Sequence, residues 1–221
     1  MDFKTFFKKL NYSWKRFRRI LAKHPSVEEL ADKVPKLKAL IKLSQINKID
    51  LFFADETGFS LTPNIPYGWQ PIGQQIPIIT RRKNIQNTFG LLNVNNKALH
   101  TYSTQPTEMI NTAFICKSIE DFMTKIKKPT VIILDNAPWH KSKAFMAKIS
   151  AWQKKDLYIF HLPRYSPHLN LIETLWRKIK YEWLRPKDFN SKTALKKRLQ
   201  YIFTNFGLLF DINFSMNFFI T

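Results

Sequence analysis

Two aspartates stand in matching settings. Asp55 follows the largely apolar run Ile49–Ala54 and precedes Glu56-Thr57-Gly58; Asp135 follows Val131–Leu134 and precedes Asn136-Ala137-Pro138. A short apolar run closed by turn chemistry reads as a buried strand. In α/β sheets, ligands collect at the carboxyl ends of strands. Carboxylates placed there are hard oxygen donors of the kind Mg²⁺ or Mn²⁺ takes. A third carboxylate, Glu173, lies beside the helical stripe Leu169, Ile172, Leu175, Trp176, Ile179 and Trp183, at the border between core and solvent. Three carboxylates on one crevice suit two-metal phosphodiester chemistry, in which the ions activate the attacking oxygen and stabilise the leaving one. Each residue also has a plainer reading. Asp commonly caps a turn or helix, and a first-turn Glu is favoured by the helix dipole. Glu56 rivals Asp55: adjacent strand residues face opposite ways, and the run before them is apolar on both faces.

The elements that must position these groups follow from the pattern on either side. Ser26-Val27-Glu28-Glu29 is a capping-box-like helix start after Pro25. Residues 60–78 are rich in Pro and Gly and read as a loop or irregular hairpin. Strands are expected at Thr88–Val94 and Ala98–Ser103, joined by a turn at Asn95-Asn96-Lys97. Helix is expected over Thr107–Lys127, strand over Val131–Leu134, helix over Ser142–Gln153 and strand over Leu157–Phe160. Helices over Leu169–Trp183 and Ser191–Phe206 close the chain. A strand meander followed by β-α-β units gives an α/β fold with a mixed sheet and helices on its faces. The order is compatible with an RNase H-like fold.

Charge supplies the partner. Lys and Arg number 36 against 16 Asp and Glu, a net charge of +20. Such an excess repels itself unless a polyanion is near, and nucleic acid binds it with release of counterions. Residues 1–48 hold 13 Lys/Arg against 4 acids, densest at Lys15, Arg16, Arg18 and Arg19. A second concentration follows Glu173, beginning with Arg177, Lys178 and Lys180. For both, a solvated surface is the plainer reading and phosphate contact the functional one. The single Cys116 excludes an intrachain disulfide and a Cys-rich zinc site, and fits a reducing, intracellular setting. The spacings of His140, His161 and His168 match no common zinc pattern. The N-terminus has no secretory signal, and the polar-interrupted C-terminal stretch is a poor membrane span.

The segments FFADETGFSL (52–61), VIILDNAPWHKS (131–142) and LPRYSPHLNLIETLW (162–176), in that order, resemble the DDE transposases of bacterial insertion sequences in the mariner-type superfamily. The resemblance covers about residues 45–210. It matches the family's three acidic ligands to Asp55, Asp135 and Glu173, and so prefers Asp55 over Glu56. His140 matches a position often histidine in the family, with a structural role near Asp135 or a phosphate contact. Two departures stand out. Leu171 occupies a position that is commonly Pro, and the 37 residues between Asp135 and Glu173 exceed the usual gap slightly.

The resemblance implies an RNase H-like catalytic domain over 49–210, preceded by basic arm and linker helices over 1–48 and followed by a tail over 211–221. It implies two Mg²⁺ or Mn²⁺ ions and a cut-and-join reaction on double-stranded DNA, both element ends and target. A homodimer on DNA and a cytoplasmic, nucleoid-associated location in a bacterium belong to the same expectation. Members usually carry a helix-turn-helix region before the catalytic domain, whereas Met1 falls where the linker to it would lie. A separate helix-turn-helix protein from an upstream frame is therefore an expected partner. An inactive DNA-binding relic and a general RNase H-like nuclease are the competing readings; strand cleavage and strand transfer discriminate among the three.

Overall fold

Ser26 opens a helix by accepting the Glu29 N–H on its hydroxyl at 3.1 Å, and this helix, α1, runs over Val27–Gln45. The computed structural model describes residues 5–6, 9–11, 25–64, 72–73, 84–105 and 108–214. Lys15, Arg16, Arg18 and Arg19, most of the loop expected over 60–78 and residues 215–221 lie outside the described residues.

Strands β1 (Asp50–Ser60), β2 (Asn84–Leu92) and β3 (Leu99–Ser103) form an antiparallel meander. β4 (Thr130–Leu134) and β5 (Leu157–His161) join the other side of β1 in parallel, giving the order β3-β2-β1-β4-β5. Strand alternation divides the apolar residues into two cores. Leu51, Phe53, Val131 and Ile133 pack with Leu37 and Ile41 of α1, with Ile172, Leu175 and Trp176 of α4 (Ile172–Lys178), and with Leu195 and Leu199 of α5 (Lys192–Thr204). Phe52, Ala54, Ile132 and Leu134 pack with Ile115, Ile119 and Phe122 of α2 (Thr112–Met123) and with Phe145 and Trp152 of α3 (Lys143–Gln153). A mixed sheet covered on both faces by helices is the RNase H-like α/β arrangement. Leu37 is fully buried, so α1 belongs to this folded body. Among the described residues, no helix is long and apolar enough to cross a membrane.

The structure departs from the expected elements in several places; β2, for one, starts at Asn84 rather than Thr88. The first strand does not stop at Asp55; it continues to Ser60, because β2 pairs with β1 from Phe53 to Ser60 after the parallel pairing with β4 has ended at Phe53. The expected helix over Thr107–Lys127 shortens to Thr112–Met123, since Asn111 caps it by accepting the Phe114 N–H at 2.9 Å. The expected helix from Leu169 begins only at Ile172. A 3₁₀ turn over Pro167–Leu169 precedes it, Asn170 is extended between them, and beyond Lys178 the helix widens into a π-turn over Ile179–Trp183.

One glycine sets how closely α4 approaches the sheet. Gly90 on β2 is paired with Asp55, and a Cβ added there would meet Trp176 Cη2 and Cζ2 at 2.6 Å. Trp176 is buried, with Phe59 and Phe203 edge-on at 6.4 Å each, so its ring has little room to move. Gly90→Ala is expected to cost about 1–3 kcal/mol by overpacking and to lift α4, with Glu173, off the sheet. Urea unfolding checks this; an unchanged midpoint would mean that the indole moves aside freely.

Candidate active site

Parallel pairing brings the two aspartates to one level. Phe53 is in register with Ile133, and Asp55 and Asp135 each follow two residues later. By alternation both continue the face that carries Leu51, Phe53, Val131 and Ile133, the face on which α4 packs. Glu56 continues the opposite face. Asp55, Asp135 and Glu173 accordingly line one cleft of about 480 Å³, whereas Glu56 does not line it.

Each carrier of a carboxylate is tied down. The buried Asn170 donates from Nδ2 to the Ala54 carbonyl at 3.0 Å, and its own carbonyl accepts the Glu173 N–H at 3.1 Å, so the start of α4 is pinned to β1 beside Asp55. The loop after β4 is held from β5: Leu162 N–H donates to Leu134 O at 2.9 Å, Asn136 Nδ2 to Leu162 O at 2.7 Å, and His161 Nδ1 to Asp135 O at 3.2 Å.

The charges oppose one another. Burial holds the Asp55 carboxyl well above the usual carboxylate range, and the charges of Glu173, Glu56 and Asp135 add to the effect. Burial likewise raises Glu173, with Asp135 adding to it and Lys180 and Arg177 opposing. Burial pushes on Asp135 in the same sense, but hydrogen bonds from His140 and from the Ala137 N–H outweigh it and leave that carboxyl below its usual range.

His140 explains the difference. Fully buried, it bridges Asp135 Oδ1 from Nδ1 at 2.9 Å and Glu56 Oε1 from Nε2 at 2.8 Å. Trp139 Nε1 donates to the same Glu56 oxygen at 3.1 Å. Burial disfavours the charged imidazole, yet the two carboxylates prevail and push its pKa up to about 9. With both nitrogens engaged and no exposed surface, His140 is not available as a phosphate contact. Its place in the structure is beside Asp135, to which it is hydrogen-bonded.

Residues 50–196 match the DDE superfamily endonuclease family. The chain belongs to this superfamily. It is 25% identical over 154 residues to an uncharacterised 39 kDa protein of insertion element IS630 from Shigella sonnei, covering 68% of this chain and 43% of that protein. Its fold is similar to that of the Mos1 strand transfer complex, with a TM-score of 0.63 and 16% identity over 90% of this chain and 61% of the other. The mariner Mos1 paired end complex with Mg gives a TM-score of 0.60 at 16% identity, over 89% and 60%. The chain thus spans less than two thirds of the length of these relatives.

As a member of the DDE superfamily, the chain can be tested against the demands of a divalent ion. Among the described residues, no three His, Cys, Asp or Glu groups converge on one point. Mg²⁺ rarely sits in an all-protein cage; it takes one or two carboxylates, waters and substrate phosphates. Mutually repelling carboxylates on an open cleft fit that mode.

Cations flank the acids. Lys180 lies over the Phe59 ring at 5.6 Å; burial lowers its pKa, and the charges of Glu173 and Asp55 oppose that shift. Arg177 is exposed, and Lys178 pairs with Glu182. The sequence reading missed Lys141 and Arg164, which line the cleft, and Tyr165, also in its lining, whose backbone is left-handed (φ 53°) and which is 45% exposed. All three lie within the motif segments that carried the resemblance, where a basic or aromatic residue beside a candidate ligand was the available signal.

Proposed function

We propose that this chain performs divalent-metal-dependent DNA strand cleavage and strand transfer in transposition, with Asp55, Asp135 and Glu173 as the ligands of two Mg²⁺ or Mn²⁺ ions. The observation that carries the reading is the meeting of these three carboxylates in one cleft of a DDE superfamily chain. The ions, when bound, supply Lewis-acid activation of the attacking oxygen and charge stabilisation of the leaving one. The chain's own residues do the rest. Asn170 and His140 hold the ligand carriers in place. Lys141 and Arg164, which line the cleft, and Arg177 and Lys180, which follow Glu173 in the chain, hold the phosphate backbone.

In the first step a water oxygen attacks phosphorus at the element's end and the P–O3′ bond breaks. This leaves a 3′-hydroxyl and a 5′-phosphate, and one water proton passes to the leaving oxygen through solvent. In the second step the 3′-hydroxyl oxygen attacks a target phosphodiester. The target's own P–O3′ bond breaks, and the proton again passes to the leaving oxygen. The partners in this reading are duplex DNA of the element ends and target, a second copy of the chain, and a helix-turn-helix protein that reads the end sequence.

The test is a labelled element-end duplex incubated with supercoiled target and Mg²⁺ or Mn²⁺. Nicking and joined product are expected with the natural chain, and neither with Asp55→Ala, Asp135→Ala or Glu173→Ala. Undiminished activity in all three variants would sink the reading, and nicking without joining would favour a general nuclease. Replacing Lys141 and Arg164 together by alanine is expected to weaken DNA binding at all sequences. It should also reduce the slope of log affinity against log salt by about 0.9 for each lost phosphate contact. An unchanged slope in fluorescence anisotropy would show that they make no such contact.

A further inference from the structure

Glu56 is not a ligand in the reading above, yet its carboxylate is engaged as fully as that of Asp135 in the cleft. One oxygen, Oε1, accepts from His140 Nε2 at 2.8 Å and from Trp139 Nε1 at 3.1 Å, and its side chain is only 13% exposed. At the far end of the same imidazole, Asp135 Oδ1 accepts from Nδ1 at 2.9 Å and from the Ala137 N–H at 2.9 Å. A carboxylate oxygen has two lone pairs, so Oδ1 is filled by these two donors. Oδ2 has no hydrogen-bond partner among the described residues, and the Asp135 side chain is 49% exposed to the cleft.

The imidazole has no freedom to choose otherwise. Its two nitrogens each meet one carboxylate oxygen, Nε2 that of Glu56 and Nδ1 that of Asp135. The ring is also fully buried, with Trp139 and Phe145 beside it, their centroids 6.3 and 6.0 Å away. The orientation of Asp135 is thus fixed from β1, the strand that also carries Asp55, through a rigid two-ended link.

We propose that Glu56 is a positioning residue for the metal centre: acting through His140, it occupies Asp135 Oδ1 and presents Oδ2 alone to the ion, making Asp135 a one-oxygen ligand. The proposal rests on the reading of Asp135 as a metal ligand. Partners that orient metal-binding residues in this way typically change metal affinity about ten- to a hundredfold when removed.

Mn²⁺ binding to the full chain, followed by the EPR signal of the free ion without DNA, tests this directly. Glu56→Ala is expected to raise the Mn²⁺ dissociation constant about tenfold or more, and Glu56→Gln, whose amide oxygen still accepts from Nε2, to restore most of the affinity. His140→Gln keeps a donor toward Glu56 and drops the one toward Asp135; it should weaken Mn²⁺ binding as Glu56→Ala does, and it serves if that variant does not melt cooperatively. In strand cleavage Glu56→Ala and His140→Gln should raise the Mn²⁺ concentration needed for half-maximal rate, and Glu56→Gln should bring it back toward that of the natural chain. Natural affinity in whichever of the two variants folds overturns the positioning role alone. Absence of Mn²⁺ binding by the natural chain overturns the ligand assignment itself.

Discussion

Asp55→Asn is expected to abolish metal-dependent strand cleavage while making the metal-free protein more stable. In the proposed reading Asp55 is a metal ligand, and its loss should lower the rate by about a thousandfold or more, roughly 4 kcal/mol in the barrier. The opposite effect on stability follows from the cleft's electrostatics. Burial first, then the charges of Glu173, Glu56 and Asp135, raise the Asp55 carboxyl well above its usual range. A carboxyl raised in the folded state binds its proton more tightly there than in the unfolded chain. Stability therefore falls as pH rises from the ordinary carboxylate range through the folded value, and the full cost applies above it.

An amide of the same shape removes that cost. The gain at pH 7 is expected at about 1 kcal/mol, or about 2–4 °C in Tm for a chain of this size. Mg²⁺ or Mn²⁺ should raise the Tm of the natural chain, because an ion that binds only the folded state stabilises it, and should do so less for Asp55→Asn. Scanning calorimetry with EDTA and with Mn²⁺ measures both. A variant less stable than the natural chain in EDTA would show that Asp55 is held by favourable contacts rather than against repulsion.

The second large effect is on folding. His140→Ala leaves Glu56 deprived of its buried partner and frees Asp135 Oδ1, and breaking a buried ion pair from one side typically costs about 3–5 kcal/mol. Its pH dependence has a definite sign. The folded pKa of His140 is raised to about 9, above the ordinary value of about 6.5. Its contribution is thus fully present below pH ~6.5 and is lost as pH rises through the folded value. Asp135 behaves conversely. Held below its usual range by the same bridge, it contributes above the ordinary carboxylate pKa, and that part is lost as pH falls. In metal-free buffer the stability difference between the natural chain and His140→Ala should be greatest near pH 6 and shrink toward pH 10. Urea unfolding at a series of pH values reads it, and a difference constant across that span would rule out the buried imidazolium bridge.

The sequence by itself determined the kinds of element and their order, because hydrophobic periodicity and capping are local. Ser26, Ser142 and Ser191 each cap a helix by accepting an N–H three residues on, at 3.1, 3.2 and 3.1 Å. The runs before Asp55 and Asp135 are strands, as their apolar character required. The three acidic positions were nameable from motif resemblance, and charge alone pointed to a polyanionic partner.

Tertiary structure decided what local pattern cannot carry. The run Leu51–Ala54 is buried on both faces, so no periodicity in it says which of Asp55 and Glu56 faces the cleft. Only the packing of α4 on one side and of α2 and α3 on the other assigns the faces. The turn expected after Asp55 was overridden because β2, distant in sequence, continues to hydrogen-bond β1 as far as Ser60. The link from Glu56 through His140 to Asp135 spans 84 residues at one end and five at the other, and Gly90 matters only because Trp176 lies against it. Asp55 and Asp135 share one level and one face because β1 and β4 pair in parallel register, a long-range hydrogen-bonding choice made when the chain folds.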